Sequence, residues 1–282
     1  MSFIAHHSIL ISDPASPKRS ITLYNSDRCL SIVELSILDS QTLLDVKLLN
    51  RIDRFSAFAL IAANPLISVA KRLYEADRIG IVVGNMFGGW NYGQRELDNL
   101  HNSGFHKFSP YQATAWFPAA AQGELTIFYG IKGYAKTLSG GLLCGLEALS
   151  IADDAIQLNK VEAVVVGVAE SVVTSFGLHG VGNCNSKHLG EGACFFLLTR
   201  DKLDSSDVKL SISEVHNGKS GYYTSNLAET EKTAQDYDPF YLGLQPMLDI
   251  SGARSEFIKS KEQMMRMNIT SEARGFEVTL ET

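Results

Sequence analysis

Residues 79–84 read IGIVVG, apolar at every position and closed by glycine, and residues 161–168 read VEAVVVGV. A strand with one face in water alternates apolar and polar side chains. A strand that is apolar at both parities is covered on both faces. Two such runs therefore call for a sheet with helices above and below it. Between them, residues 133–139 predict a third strand, followed by Gly140-Gly141 and a helix whose apolar face is marked by Leu142, Leu146, Leu149 and Ile156. This alternation of strand and helix predicts an α/β fold built on βαβ units and a mostly parallel sheet.

The flanking segments extend the pattern. Residues 2–12 predict a strand in which one of His6 and His7 faces inward and the other outward. Residues 52–63 carry Ile52, Phe55, Ala59, Ala62 and Ala63 at helical spacing, with Pro65 expected to interrupt or restart the helix. Residues 193–199 and 208–215 predict two strands that pair with each other at the edge of the β-layer. Residues 217–244 have no period and predict an irregular loop; Met247–Met267 predicts a helix. Phe276, Val278 and Leu280 alternate with Glu277, Thr279 and Glu281, the signature of a final strand.

Composition narrows the function classes. A chain of 282 residues, 45% hydrophobic, has enough apolar surface for one large domain or two closely packed lobes. A formal charge of -6 without a basic run argues against nucleic acid as a partner. An acidic carrier protein would need a local basic spot, for which Lys71–Arg72 and Arg95 are the candidates. Cys29, Cys144, Cys184 and Cys194 form no CxxC and no metal spacing, so neither a metal nor a cofactor is expected. Reduced thiols, a first 17 residues free of Lys and Arg, and an apolar stretch from Ala57 to Ala70 too short to span a bilayer predict a cytoplasmic protein without membrane insertion. The GKS at 218–220 lacks the earlier glycine of a phosphate-binding loop, Ser213 standing in its place. Gly180-x-Gly182 lacks the third glycine of a dinucleotide fingerprint.

One local feature carries chemistry. The strand at 134–139 runs through a double glycine straight into a helix. Such an elbow exposes one residue at the turn and aims the free N–H groups of the helix start at it. Acyl-transfer enzymes place a Ser or Cys nucleophile there. Here the elbow residue is Leu142, which cannot attack a thioester.

Several segments carry a resemblance. RIDRFSAFALIAA (51–63) is similar to the start of a long helix in β-ketoacyl synthases, and GYAKTLSGGLLCGLEAL (133–149) resembles their active-site segment without gaps, placing Leu142 on the family's nucleophilic cysteine. VVVGVAES (164–171) and GEGA (190–193) match two further family signatures in order. GGWNYGQREL (88–97) and SPYQATAWFPAAAQGELTIFYGIKG (109–133) resemble the chain-length factors of type II polyketide synthases in particular. The resemblance implies a thiolase-like fold of layered mixed sheets and helices with its second half shortened. It divides the chain into a β-ketoacyl synthase N-terminal-like half, 1–216, and a truncated C-terminal part, 217–282, packing on the same domain.

The same resemblance implies a non-catalytic subunit. It would pair with an active ketosynthase, complete the acyl tunnel for decarboxylative condensation, and receive chains carried on an acyl carrier protein. The short C-terminal part resembles the truncated factors of aryl polyene systems. Two departures stand out: such factors usually place Gln at the elbow, and the two catalytic histidines of ketosynthases have no match after residue 216. In chain-length factors a helix corresponding to 110–117 lines the tunnel at the dimer interface. Pro110, Ala113, Thr114 and Phe117 would share one face of it, with Trp116 beside them. The truncated second half predicts that part of the sheet and the Leu142 helix are left under-covered. Two alternatives stand beside this reading: a stand-alone acyl-transfer enzyme using Cys144, and a structural stabiliser of a ketosynthase that does not measure length.

Overall fold

The computed structural model describes residues 1–16, 18–22, 29–35, 43–181, 186, 188–215, 223–227, 230–260, 262–271 and 274–282. Numbered in chain order, ten of the described strands form one sheet. In spatial order they are β11 (Thr230–Thr233), β10 (Thr224–Leu227), β12 (Met264–Ser271), β13 (Arg274–Glu281), β9 (Val208–Val215), β1 (Ser2–Ile11), β8 (Gly192–Thr199), β6 (Ala163–Glu170), β4 (Ile79–Asn85) and β5 (Ala135–Ser139). A second sheet joins β2 (Lys18–Thr22), β3 (Cys29–Val33) and β7 (His188–Gly190).

The α/β class expected from the sequence holds, but the sheet is mixed rather than mostly parallel. Parallel pairing in the large sheet is confined to β6–β4–β5, the strands joined by helical crossovers. Every other pair in it is antiparallel. The expected pairing of 193–199 with 208–215 does not occur. β1 inserts between β8 and β9, bonding to β8 along one edge and, over Ser2–Ile4, to β9 along the other. A register shift between Ile4 and His6 also removes the strict in–out alternation, and both His6 and His7 are half-buried.

Helices cover both faces. On one lie α2 (Arg54–Leu73) and α5 (Ala120–Tyr129), whose Phe55, Phe58, Leu60, Ile67 and Leu125 pack on Ile81, Val83, Val165 and Phe195. On the other lie α6 (Cys144–Gln157) and α8 (Gln245–Ser260), whose Leu146, Leu149, Ile156, Met247 and Phe257 pack on Val82, Val164, Val166 and Phe196. Adjacent residues of β4 and β6 thus point into different cores, which is why their sequences show no polar parity. The remaining helices are α1 (Val46–Leu49), α3 (Trp90–Ser103), α4 (Gln112–Ala115) and α7 (Ser175–Val181).

α2 starts where Asp53 accepts the Phe55 N–H at 3.0 Å and runs unbroken through Pro65. The proline is on the exposed side, where water can satisfy the carbonyl of Ile61 that loses its helical donor. The region expected to be an irregular loop holds the β10–β11 hairpin and two 3-10 turns, Ala234–Asp236 and Leu242–Leu244. The helix expected over 247–267 stops at Ser260, and Met264–Ser271 is a strand with Met265, Met267 and Ile269 buried. The helix at the elbow is not under-covered, because α8 lies on it. The final strand is β13, with Phe276, Val278 and Leu280 buried. GKS 218–220 and Cys184 lie outside the described residues.

Candidate functional site

The elbow forms where β5 ends. Gly140 N–H donates to the Asn85 carbonyl at 3.1 Å, tying the turn to the tip of β4, and Cys144 N–H donates to Gly141 O at 3.1 Å. Helix α6 therefore begins at Cys144, two residues later than Leu142, which sits in the turn. Leu142 and Leu143 line a cavity of about 300 Å3 together with Met86, Gly141, Glu147, Val181, Ser271 and Arg274. Among the described residues the lining contains no cysteine and no histidine. Arg274 lies across the rim, donating to Glu147 at 2.6 Å and to Glu214 at 2.9 and 3.0 Å.

Cys144 points the other way. It is fully buried, and a β-carbon placed on Gly243 would lie 3.0 Å from its Sγ and 2.9 Å from Glu170 Oε1. Burial, with Glu170 and Glu147 adding to it, pushes its thiol well above the usual range. Proximity to a helix start favours a thiolate, but here desolvation outweighs it. Glu170 is itself buried at the end of β6. Desolvation pushes its carboxyl up to about 8 against the opposing Met86 N–H donor at 2.5 Å, so it is largely protonated at neutral pH. The pair under Gly243 is a neutral acid and a neutral thiol, not a nucleophile and its base.

Four of the resembling segments, 51–63, 88–97, 164–171 and 190–193, converge on one buried polar network. Arg54 pairs with Glu191, whose Oε2 also accepts the Ser171 hydroxyl at 2.6 Å and whose Oε1 accepts Leu35 N–H at 2.7 Å. Asn91 donates to Ser171 O at 2.9 Å and accepts Val173 N–H at 2.9 Å. Asp53 accepts Tyr92 N–H at 2.6 Å, and burial raises its carboxyl to about 6 against its hydrogen bonds. The segments are legible in the sequence, but their roles are not. Only the fold shows that Arg54, Ser171 and Glu191 meet.

The segment 110–117 is not the single helix expected. α4 covers only Gln112–Ala115, because Pro118 disfavours helical backbone at Phe117 before it. Pro110, Ala113, Thr114, Trp116 and Phe117 are all exposed in this chain. Thr114 lines an open groove of about 490 Å3 with Leu43, Leu48, Arg51, Tyr111, Glu124, Ile127 and Phe128, among others. Phe117 lies outside that groove, 52% exposed, with its ring edge-on to Trp116. The candidate basic spots do not merge into one patch. Lys71 and Arg72 end α2, whereas Arg95 lies over the Tyr92 ring near the start of α2, about 30 Å away along the axis of a 20-residue helix.

Among the described residues no group of His, Cys, Asp and Glu is arranged to hold a metal, and no helix is long and apolar enough to cross a membrane.

The model of the β-ketoacyl synthase N-terminal domain matches residues 41–202. A Streptomyces cyaneus protein carrying the name polyketide beta-ketoacyl synthase 2 is 33% identical over 146 residues, which take in 50% of this chain and 35% of that protein. The aligned stretch is thus about a third of the relative's length. Among solved structures, a type II polyketide synthase acyl-carrier protein in complex with its ketosynthase bound to the hexaketide superposes with a TM-score of 0.76 at 18% identity, over 100% of this chain and 99% of that one. A ketosynthase in complex with its chain length factor from Xenorhabdus doucetiae gives 0.72 at 12% identity, over 100% and 98%. At these identities the structures show a shared thiolase-like ketosynthase fold.

Proposed function

This chain belongs to the β-ketoacyl synthase family through its N-terminal domain, and from that membership we propose that it is the non-catalytic, chain-length-factor subunit of a polyketide or polyene ketosynthase pair. The observation that carries the proposal is the elbow. The position that the family resemblance assigns to the nucleophile holds Leu142, in a cavity lined, among the described residues, by neither cysteine nor histidine. Condensation needs a thiol to carry the acyl chain and groups to assist decarboxylation. Both would come from an active ketosynthase bound alongside, with chains delivered on an acyl carrier protein. The alternative built on Cys144 finds little support, since that thiol is buried, held protonated and turned from the cavity.

The surface of this chain supports the pairing. Among the described residues β5 is an edge strand with one unpaired side, α5 beside it exposes Ile127 and Phe128, Ile127 by 80%, and the turn after α4 exposes Trp116 and Phe117. Exposed apolar surface beside unpaired strand backbone suits a large obligate interface. In the pair, the Pro110–Phe117 segment would wall the acyl tunnel.

The test reconstitutes the pair with carrier protein and malonyl units and reads product mass. Phe117→Ala should lengthen the product by opening space beyond the present stop, and Ala113→Trp should shorten it. Two intact pairs that extend normally with an unchanged length distribution would leave only the role of structural stabiliser.

A further inference from the structure

The turn after β4, residues 85–89, touches both the elbow and the segment proposed to limit chain length. The Asn85 carbonyl accepts Gly140 N–H at 3.1 Å, and its side-chain Nδ2 donates to Pro118 O at 2.9 Å. Four residues on, Gly89 N–H donates to Trp116 O at 3.0 Å. The contact leaves no room for side chains. A β-carbon on Gly89 would stand 2.1 Å from Ala115 O, and Gly88, at φ +65°, faces the Pro118 backbone. Residues 115–118 are therefore clasped from both ends of one short turn.

Asn85 is fully buried, and its Oδ1 has no hydrogen-bond partner among the described residues. A buried amide with an idle acceptor is an expensive way to fill space, which leucine would fill without an unpaired oxygen. The orientation of the amide follows from chemistry: only the NH2 group can face a carbonyl. What the amide contributes is the donation to Pro118. Pro118 has no N–H of its own, and the helix to its N-terminal side ends at Ala115. Phe117 is held by turn bonds, its N–H donating to Thr114 O at 3.2 Å and its carbonyl accepting Ala120 N–H at 2.9 Å, and the Asn85 amide adds the one side-chain tie to this turn at Pro118.

We propose that Asn85 is a positioning residue for chain length: it fixes the Phe117–Pro118 segment to the elbow and so sets where the tunnel stops. This rests on the chain-length reading above and deepens it. It assigns the stop not to Phe117 alone but to Phe117 anchored through Asn85.

The test is a double-mutant cycle on the reconstituted pair, read as the product mass distribution. Asn85→Leu keeps the branched four-atom side-chain skeleton and removes the donor. It should broaden the distribution toward longer chains, with the fraction beyond the wild-type maximum rising several-fold. In a Phe117→Ala background the same change should add no further shift, because the side chain that Asn85 positions is already gone. Hydrogen exchange at residues 115–120 should be faster in Asn85→Leu while exchange in α2 stays as in wild type. Should Asn85→Leu not assemble, Asn85→Ser, which also shortens the reach to Pro118, carries the same readouts. Wild-type lengths in an assembled Asn85 variant, while Phe117→Ala shifts them, overturn the positioning role alone. Unchanged lengths in Phe117→Ala overturn the chain-length reading, and this inference with it. Additive shifts in the double variant would show that Asn85 does not act through Phe117.

Discussion

The two ends of the ten-stranded sheet face solvent with different side chains. At one end β11 is four residues long, Thr230-Glu231-Lys232-Thr233, exposed along most of its length, with charges of both signs at its centre. At the other end β5, Ala135–Ser139, carries a single Lys136, and α5, which packs beside it, exposes Ile127 and Phe128. A short charged edge resists pairing with another strand; an edge set beside exposed apolar side chains invites it. On the proposed reading the partner would add at the apolar end, while the charged end closes the sheet.

The largest effect should come from breaking that asymmetry at the apolar end. Ile127→Asp with Phe128→Asp places two carboxylates in the proposed interface. At roughly 2 kcal/mol or more for each hot-spot side chain, affinity for the ketosynthase partner should fall about 1,000-fold. Co-purification and native mass spectrometry would report this as loss of the heterodimer. Retention of a full-strength pair would move the interface elsewhere.

The next effect separates the two ends by their response to pH. Glu170, beside the elbow, is held up at about 8 by burial, from an ordinary 4.5. Below 4.5 the carboxyl is protonated in both folded and unfolded chains. Above that value the unfolded chain ionises while the folded one does not. Stability should therefore fall as pH rises toward 8, by about 1.4 kcal/mol per pH unit in the steep part. Asp236, at the β11 end, has the opposite sign. Thr233 N–H and hydroxyl, at 2.7 and 2.9 Å, hold its carboxyl below the usual range. Its contribution is present above the unfolded value of 3.8 and is lost as pH falls through the lower folded one. Denaturation curves of Glu170→Gln across pH 5 to 8 should lose most of the wild-type slope. An unchanged slope would mean that Glu170 is not the group responsible.

The smallest effect should come from making the charged end resemble the apolar one. Glu231→Val with Lys232→Ile leaves β11 as an uncharged β-branched edge. Pairing with the ketosynthase should stay within about twofold, while light scattering at high protein concentration should show new self-association. A loss of ketosynthase binding would mean that both ends take part in the interface.

How much of this was legible in the chain depended on how local the controlling forces were. IGIVVG and VEAVVVGV identified β4 and β6, because burial on both faces leaves no other composition for a strand. Phe276, Val278 and Leu280 identified β13 by plain alternation. Met264–Ser271 carried the same alternation, yet its methionines also suit a helix, and its strand identity comes from pairing with β13 over all eight residues. Strand direction was illegible, since β1 reaches its place between β8 and β9 from nearly 200 residues away in the chain. At the site, Leu142 was readable because an elbow is a local motif. Arg274 across the cavity and Asn85 beneath Pro118 were not, because each acts on a partner brought to it only by the fold. Pro118 was a local signal that should have ended the 110–117 helix early.

The central claim is that this chain lends shape to a condensing site whose chemistry resides in its partner. The most direct measurement treats the co-purified pair with a thiol-directed acyl analogue and locates the adduct by mass spectrometry of each intact subunit, alongside a condensation assay of this chain alone. The account predicts one adduct, on the ketosynthase, none on this chain, and no β-ketoacyl product from this chain by itself, with or without Leu142→Cys. An adduct on Cys144 accompanied by turnover of the isolated chain would contradict it.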